Sequence, residues 1–212
     1  LTGADPLSIG YSEMKRILGA IHDYLPYCHR VASYASIRSI SRYSLEELSA
    51  LHDAGLRLLY IGFETGRDDV LRSMRKGHTV DEAVEQARKL NEARLPFYTV
   101  IMYGIAGEGE SLKNALSTAG MINRFKTGKV ITMNLVVFYG TELDGMVKRG
   151  EFTPPGAKER LLEIRTLLES LTPEDRMVFD TTHPTNIIKI FGTLPEDRQS
   201  LLAEVVRHLD KA

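Results

Sequence analysis

Cysteine is almost absent from this sequence: Cys28 is the one thiol in 212 residues. That excludes an internal disulfide framework and any metal site built from several cysteines of this chain. A cytoplasmic origin is the expectation that goes with it. Long apolar runs are also lacking. None approaches the ~20 residues that cross a bilayer, and no signal-peptide pattern stands at the start. Nor does charge of one sign dominate, since 27 basic residues face 28 acidic ones for a formal net charge of −1. This balance gives no support for a nucleic-acid or membrane surface, although a local basic patch is compatible with it. His22, His29, His52, His78 and His208 show no metal-ligand spacing. Repeats and low-complexity stretches are missing as well.

What is present suits one ordinary domain. Hydrophobic residues make up 43% of the chain, enough for a substantial core. Leu1-Thr2-Gly3 reads as the end of a strand, which suggests a piece of a longer protein lacking its N-terminal region. Met14, Ile17, Leu18, Ile21 and Leu25 recur at helical spacing before Pro26. Residues 30–37 read as a strand. Ser44-Leu45-Glu46-Glu47 and Thr79-Val80-Asp81-Glu82 are capping-box patterns. They open helices that end near Gly55 and Ala93. Strands follow each helix, at 57–63 and from Pro96 to Tyr103. A helix over 110–125 and a strand over 129–138 complete the pattern. Past Thr153-Pro154-Pro155 a helix is predicted over 157–170. Thr181 to Asn186 is a polar turn, and a last helix runs from about Pro195 to Leu209.

Alternating strands and helices with short connections argue for a parallel sheet with right-handed crossovers. Roughly five strands are countable, one cut at the start, against the eight of a full barrel of ~250 residues. The expected fold is therefore α/β, a partial and open parallel barrel over 1–150. A mostly helical extension over 151–212 packs on it.

Three segments carry candidate chemistry at strand ends, where ligands bind in parallel barrels. Thr2-Gly3-Ala4-Asp5-Pro6 offers a glycine turn and a carboxylate for an ammonium group; alternatively Asp5 caps the next helix. Glu64 ends the apolar run 58–63, so its carboxylate projects into the barrel mouth. There it accepts hydrogen bonds from a ribose diol, or forms a structural ion pair. Lys76 is its obvious partner, or a contact for a ligand carboxylate. Gly104-Ile105-Ala106-Gly107-Glu108 resembles a phosphate cradle without the Lys-Ser/Thr ending of a P-loop. It reads equally as a tight turn, or as backbone pairing with a purine edge while Ile105 packs on its face. His183 and Asn186, in the polar turn, are minor candidates for substrate contact.

The ordered set resembles the radical S-adenosylmethionine superfamily. Thr2 to Pro6 is similar to its Gly-Gly-Glu-Pro motif. Ile61 to Gly66, then Val70-Leu71 and Lys76-Gly77, resemble its Gly-x-Glu-Ser-Gly, Val-Leu and Lys-Gly series. Val100 to Glu108 resembles its Ile-x-Gly-x-x-Gly-Glu strand. The coproporphyrinogen-oxidase-like and uncharacterised iron–sulfur branches look most similar, the stretch 190–197 included. The resemblance implies that Thr2, Gly3 and Asp5 bind the cofactor's amino group, Glu64 its ribose and Lys76 its carboxylate. Gly104, Ile105 and Gly107 would then line the adenine, and Ser36 contributes. It also implies S-adenosylmethionine and a [4Fe–4S] cluster as cofactors of the full-length enzyme, an electron donor, and radical abstraction of hydrogen from an unknown small-molecule substrate. The Cys-x3-Cys-x2-Cys loop that would hold the cluster is missing and is expected upstream of Thr2, so the fragment alone is expected to be inactive. No residue is assigned to catalysis. The competing readings are another barrel enzyme that binds a phosphorylated metabolite, with Glu64 as acid or base, and a non-catalytic nucleoside-binding protein.

Overall fold

A computed structural model describes residues 1–212. A short turn over Pro6–Ile9 leads into α1 (Tyr11–Tyr24), β1 (Val31–Ala35), α2 (Ile37–Ile40) and α3 (Leu45–Asp53). Next come β2 (Leu56–Glu64), α4 (Asp68–Ser73), α5 (Val80–Glu92), β3 (Phe97–Tyr103), α6 (Ser111–Ile122) and β4 (Lys129–Asn134). The chain closes with α7 (Glu142–Lys148), α8 (Ala157–Ser170), β5 (Met177–Asp180), β6 (Phe191–Leu194) and α9 (Arg198–Leu209).

The six strands form one open sheet in sequence order. All neighbours from β1 to β5 run parallel, and β6 returns antiparallel to β5. The Leu1 α-amino group donates to Ala32 C=O and Tyr34 N–H donates to Leu1 C=O, so Leu1 lies along the outer edge of β1.

Strand alternation assigns the two faces. On β3, Phe97, Thr99, Ile101 and Tyr103 are buried, whereas Tyr98, Val100 and Met102 are not. The buried side meets the helices, with α6 packed on α8 and α8 on α9. The other face is the concave wall of the open barrel. Its register rows align Tyr34 with Tyr60, Tyr60 with Tyr98, and Tyr98 with Lys129. Ring centroids there are 5.4 and 5.3 Å apart, a spacing at which aromatic pairs attract. Lys129 Nζ stands 5.3 Å over the Tyr98 ring and pairs with Asp180 at 3.1 Å.

Both capping boxes form as the sequence predicts, Ser44 with Glu47 and Thr79 with Glu82. Several expectations need correction. The strand expected over 30–37 stops at Ala35, because the Ser36 hydroxyl accepts from Ser39 N–H and caps α2. The strand expected through Phe138 stops at Asn134, and the last bond to β3 is Leu135 N–H donating to Tyr103 C=O. Neither β5 nor β6 was expected. At four residues each, they are too short to show a period. Residues 151–212 thus supply two strands as well as α8 and α9, and the sheet runs on across residue 150.

Candidate functional site

Glu64 is the last residue of β2 and has φ +66°, a left-handed conformation that non-glycine residues rarely hold. The register between β2 and β3 slips at this point, between Gly62 and Glu64. Such a bulge re-aims a side chain. The Glu64 carboxylate folds back over Gly62, where a Cβ would lie 2.9 Å from Oε1. Gly62 therefore clears the space that Glu64 occupies. Lys76 Nζ donates to Glu64 Oε1 at 3.0 Å, and the two side chains are 28% and 17% exposed.

Across the same hollow, the Ser36 hydroxyl donates to Asp5 Oδ2 at 2.6 Å and its amide donates to Oδ1 at 3.3 Å. Asp5 makes no side-chain cap on the turn that follows it, which removes the capping alternative. Ser36, Gly62, Glu64, Lys76 and Val100 line one cavity of about 280 Å³, with Tyr34 and Tyr60 among its walls. Thr2 and Gly3 are exposed, and neither they nor Asp5 are part of its lining; Ala4 is.

His78 also lines this cavity, and sequence reasoning passed over it. Its Nδ1 lies 3.3 Å from Lys76 C=O, while Nε2 is buried without a partner. Burial lowers its pKa, so the ring is neutral at physiological pH. The available signal was its place two residues after Lys76.

The Gly104 turn lies elsewhere. Gly104 N–H donates to Glu163 Oε2 at 2.8 Å, Ile105 is 1% exposed, and a Cβ at Gly107 would meet Phe152. Glu108 N–H donates to Thr153 C=O at 2.8 Å. The turn is thus packed against the segment leading into α8. The expectation that Ile105 covers a purine fails because the side chain is buried in protein. Gly104 and Gly107 are likewise no part of the cavity lining, and Val100, lower on β3, takes that place.

The Glu64-Thr65-Gly66 segment divides its work. Glu64 faces the cavity, while Thr65 and Gly66 dock α6. Thr65 Oγ1 donates to Asn114 Oδ1, and Gly66 N–H donates to Thr118 Oγ1 at 3.0 Å. A Cβ on Gly66 would come within 2.7 Å of Thr118 Cα, so only glycine permits this approach. Arg67, also unforeseen, is 8% exposed and pairs with both Asp69 and Glu110, joining α4 to the start of α6. Its guanidinium holds the Asp69 carboxyl down at about 2.

Asn186 pins the β5–β6 turn, donating from Nδ2 to Thr132 C=O and Thr181 C=O at 2.8 Å each. His183 Nδ1 lies 2.8 Å from Thr185 Oγ1. Neither residue lines the cavity.

The curated proteins similar to this chain include tRNA uridine(34) acetyltransferases from two archaea. That of Methanocaldococcus jannaschii is 26% identical over 130 residues, and that of Methanocaldococcus infernus 24% over 132. The matches cover 61% and 62% of this chain but only 24% of each relative. Among solved structures, the Methanocaldococcus infernus Elp3 with an N-terminal deletion superposes with a TM-score of 0.62 at 19% identity. That match covers 86% of this chain and 42% of the other. Methylornithine synthase (PylB) superposes with a TM-score of 0.59 at 16% identity over 96% of this chain and 63% of its own. These structures share the open barrel fold. A family model described as the radical SAM superfamily matches residues 1–119, the span that contains the Asp5, Ser36, Glu64 and Lys76 cluster, and the chain belongs to that superfamily.

Proposed function

We propose that the cavity between Ser36 and Glu64 holds S-adenosylmethionine. The observation that supports this most is Glu64 itself, an acid kept in a left-handed conformation over a glycine, inside a cavity, with a lysine beside it. Strain of this kind persists where the surroundings enforce it. An ionised carboxylate has about four lone-pair sites. The single bond from Lys76 therefore leaves Glu64 able to accept from both hydroxyls of a ribose. Lys76 keeps two further N–H donors for the carboxylate of the methionine end. Asp5, outside the lining but bonded to Ser36 within it, retains lone pairs for its ammonium. The donor set thus fits the nucleoside and amino-acid ends of the cofactor.

The residues do not fit a [4Fe–4S] cluster. Such a cluster needs several thiolates, whereas Cys28 is single and exposed, and no group of three His, Cys, Asp or Glu side chains is placed to hold a metal. Cluster ligands, in this reading, come from polypeptide outside these residues. The cluster would supply the electron for reductive cleavage of the cofactor; this chain's residues bind and orient the cofactor.

The substrate reading widens on one observation. The relatives named for tRNA uridine(34) acetylation bring in a nucleic acid, which the near-neutral charge did not suggest. Binding of tRNA to the intact protein, measured across a salt series, tests this, because phosphate contacts make affinity fall with salt.

The cofactor reading is tested by competition. S-adenosylmethionine binding that is lost in Glu64→Ala supports it. A sugar phosphate that binds in the same cavity where S-adenosylmethionine does not would replace it with the phosphorylated-metabolite reading.

A further inference from the structure

We infer that Glu163 is a positioning residue through which α8 sets both the Gly104 turn and the strand end that carries Glu64. It lies outside the residues matched by the family model. It is 2% exposed, among the least accessible charged side chains of the molecule.

The geometry is a chain of bonds across three elements. Gly104 N–H donates to Glu163 Oε2 at 2.8 Å and Asn114 Nδ2 donates to Oε1 at 2.7 Å. Asn114 in turn accepts from Thr65 Oγ1, the residue after Glu64. Glu64 and Glu163 also border the same small void of about 10 Å³ between the sheet and α6. One carboxyl group on α8 therefore fixes the residue after β3, and through Asn114 the residue after β2. Both strands line the ligand cavity. This part of the proposal does not rest on the identity of the cavity's ligand.

A buried carboxylate facing neutral donors is costly to keep ionised. Burial raises Glu163 to about 7, against the lowering effect of Asn114, Gly104 and Ser111. The charged and titratable groups around it are Glu159 and Arg160 on α8 and Tyr103 on β3, with Glu64 across the void. Of these Tyr103 is neutral, burial pushing its hydroxyl further above the ordinary phenol range. On α6, the Ser111 hydroxyl is buried near the carboxyl and makes no hydrogen bond. A hydroxyl can donate to a carboxylate or accept from a carboxylic acid, so Ser111 is a nearby group able to answer either protonation state, while Gly104 and Asn114 make the bonds present. The two states pull differently on Gly104 N–H, since a bond to an ionised acceptor is roughly twice as strong as one to a neutral acceptor.

The test needs no cofactor. Amide resonances of Gly104, Glu64 and Thr65 are followed by NMR from pH 5 to pH 9 on the chain as it stands. The expected result is one sigmoidal shift at all three, with a shared midpoint near neutrality. It should vanish in Glu163→Gln, which keeps an acceptor for Gly104. Asn114→Asp should displace the midpoint while the chain still folds. A Gly104 shift that is flat, that survives in Glu163→Gln, or that leaves Glu64 and Thr65 unmoved overturns the inference. None of these outcomes depends on whether S-adenosylmethionine binds. If the cavity reading also holds, cofactor affinity in the full-length protein should vary with pH through the same midpoint and lose that variation in Glu163→Gln.

Discussion

Replacing Glu64 by glycine and by alanine separates the cost of its backbone from the use of its carboxylate. At φ +66°, a residue with a Cβ carries about 1–2 kcal/mol of left-handed strain, which glycine avoids. Glycine loses ~0.5–1 kcal/mol more backbone entropy on folding. The difference leaves Glu64→Gly about 0.5–1 kcal/mol more stable than Glu64→Ala. The Lys76 pair is lost in both variants and cancels from the comparison. Against the wild type, that pair is partly exposed, at 28% and 17%, so its loss costs no more than about 1 kcal/mol. For a chain of 212 residues, the gap between the variants is ~1–4 °C in melting temperature. Thermal and urea unfolding measure it, beside a binding titration with S-adenosylmethionine. Both variants should bind at least ~10-fold more weakly, because one hydrogen bond to a charged group is worth about 1.5–3 kcal/mol. An alanine variant as stable as the glycine variant would refute the strain argument. Wild-type affinity in either would remove the carboxylate from the site.

Other perturbations give distinct outcomes. Gly62→Ala should push the Glu64 carboxylate aside, since the new methyl would lie 2.9 Å from Oε1; binding should fall while melting changes little. Gly66→Ala does the reverse. It crowds the backbone of α6, and overpacking of this kind costs about 1–3 kcal/mol or more, read as a lower urea midpoint. Lys76→Met should weaken cofactor binding if Lys76 contacts the ligand; a fall in stability alone would restrict it to its pair with Glu64. Stability should also depend on pH through Glu163. Its native value of about 7 stands above the ordinary 4.5, so the folded state holds a proton that the unfolded state releases. The contribution is full below pH 4.5 and is lost as pH rises to about 7, in total ~3 kcal/mol. Glu163→Gln should flatten that part of the unfolding profile, and an unchanged slope would show that the buried acid does not titrate there.

Much of the frame was legible because it rests on local signals. Ser44 and Thr79 announce their helices by capping chemistry, and the apolar run ending at Glu64 announces a strand whose last carboxylate faces a mouth. What escaped depends on long-range pairing. Met177–Asp180 is a strand because β4 offers an edge, a fact no local window contains. Glu163 escaped although a signal existed. It sits four residues before Leu167, on the buried stripe with Ile164 and Leu168, where an acid must find partners. The glycines at 104 and 107 marked a turn correctly, but composition does not say which way its amides point. The Gly104 amide points at Glu163 on α8 and the Gly107 amide back at Gly104 C=O, so the adenine-lining role drawn from them has no support in the cavity.

The most direct measurement is a protein-observed NMR titration of this chain with S-adenosylmethionine and, separately, with a sugar phosphate. The account predicts that S-adenosylmethionine shifts Ser36, Gly62, Glu64, Lys76 and Val100 together, and that Glu64→Ala moves the titration to at least ~10-fold higher ligand concentration. Shifts that leave these residues unmoved, or a response at the Glu64 cavity to the sugar phosphate alone, would contradict it.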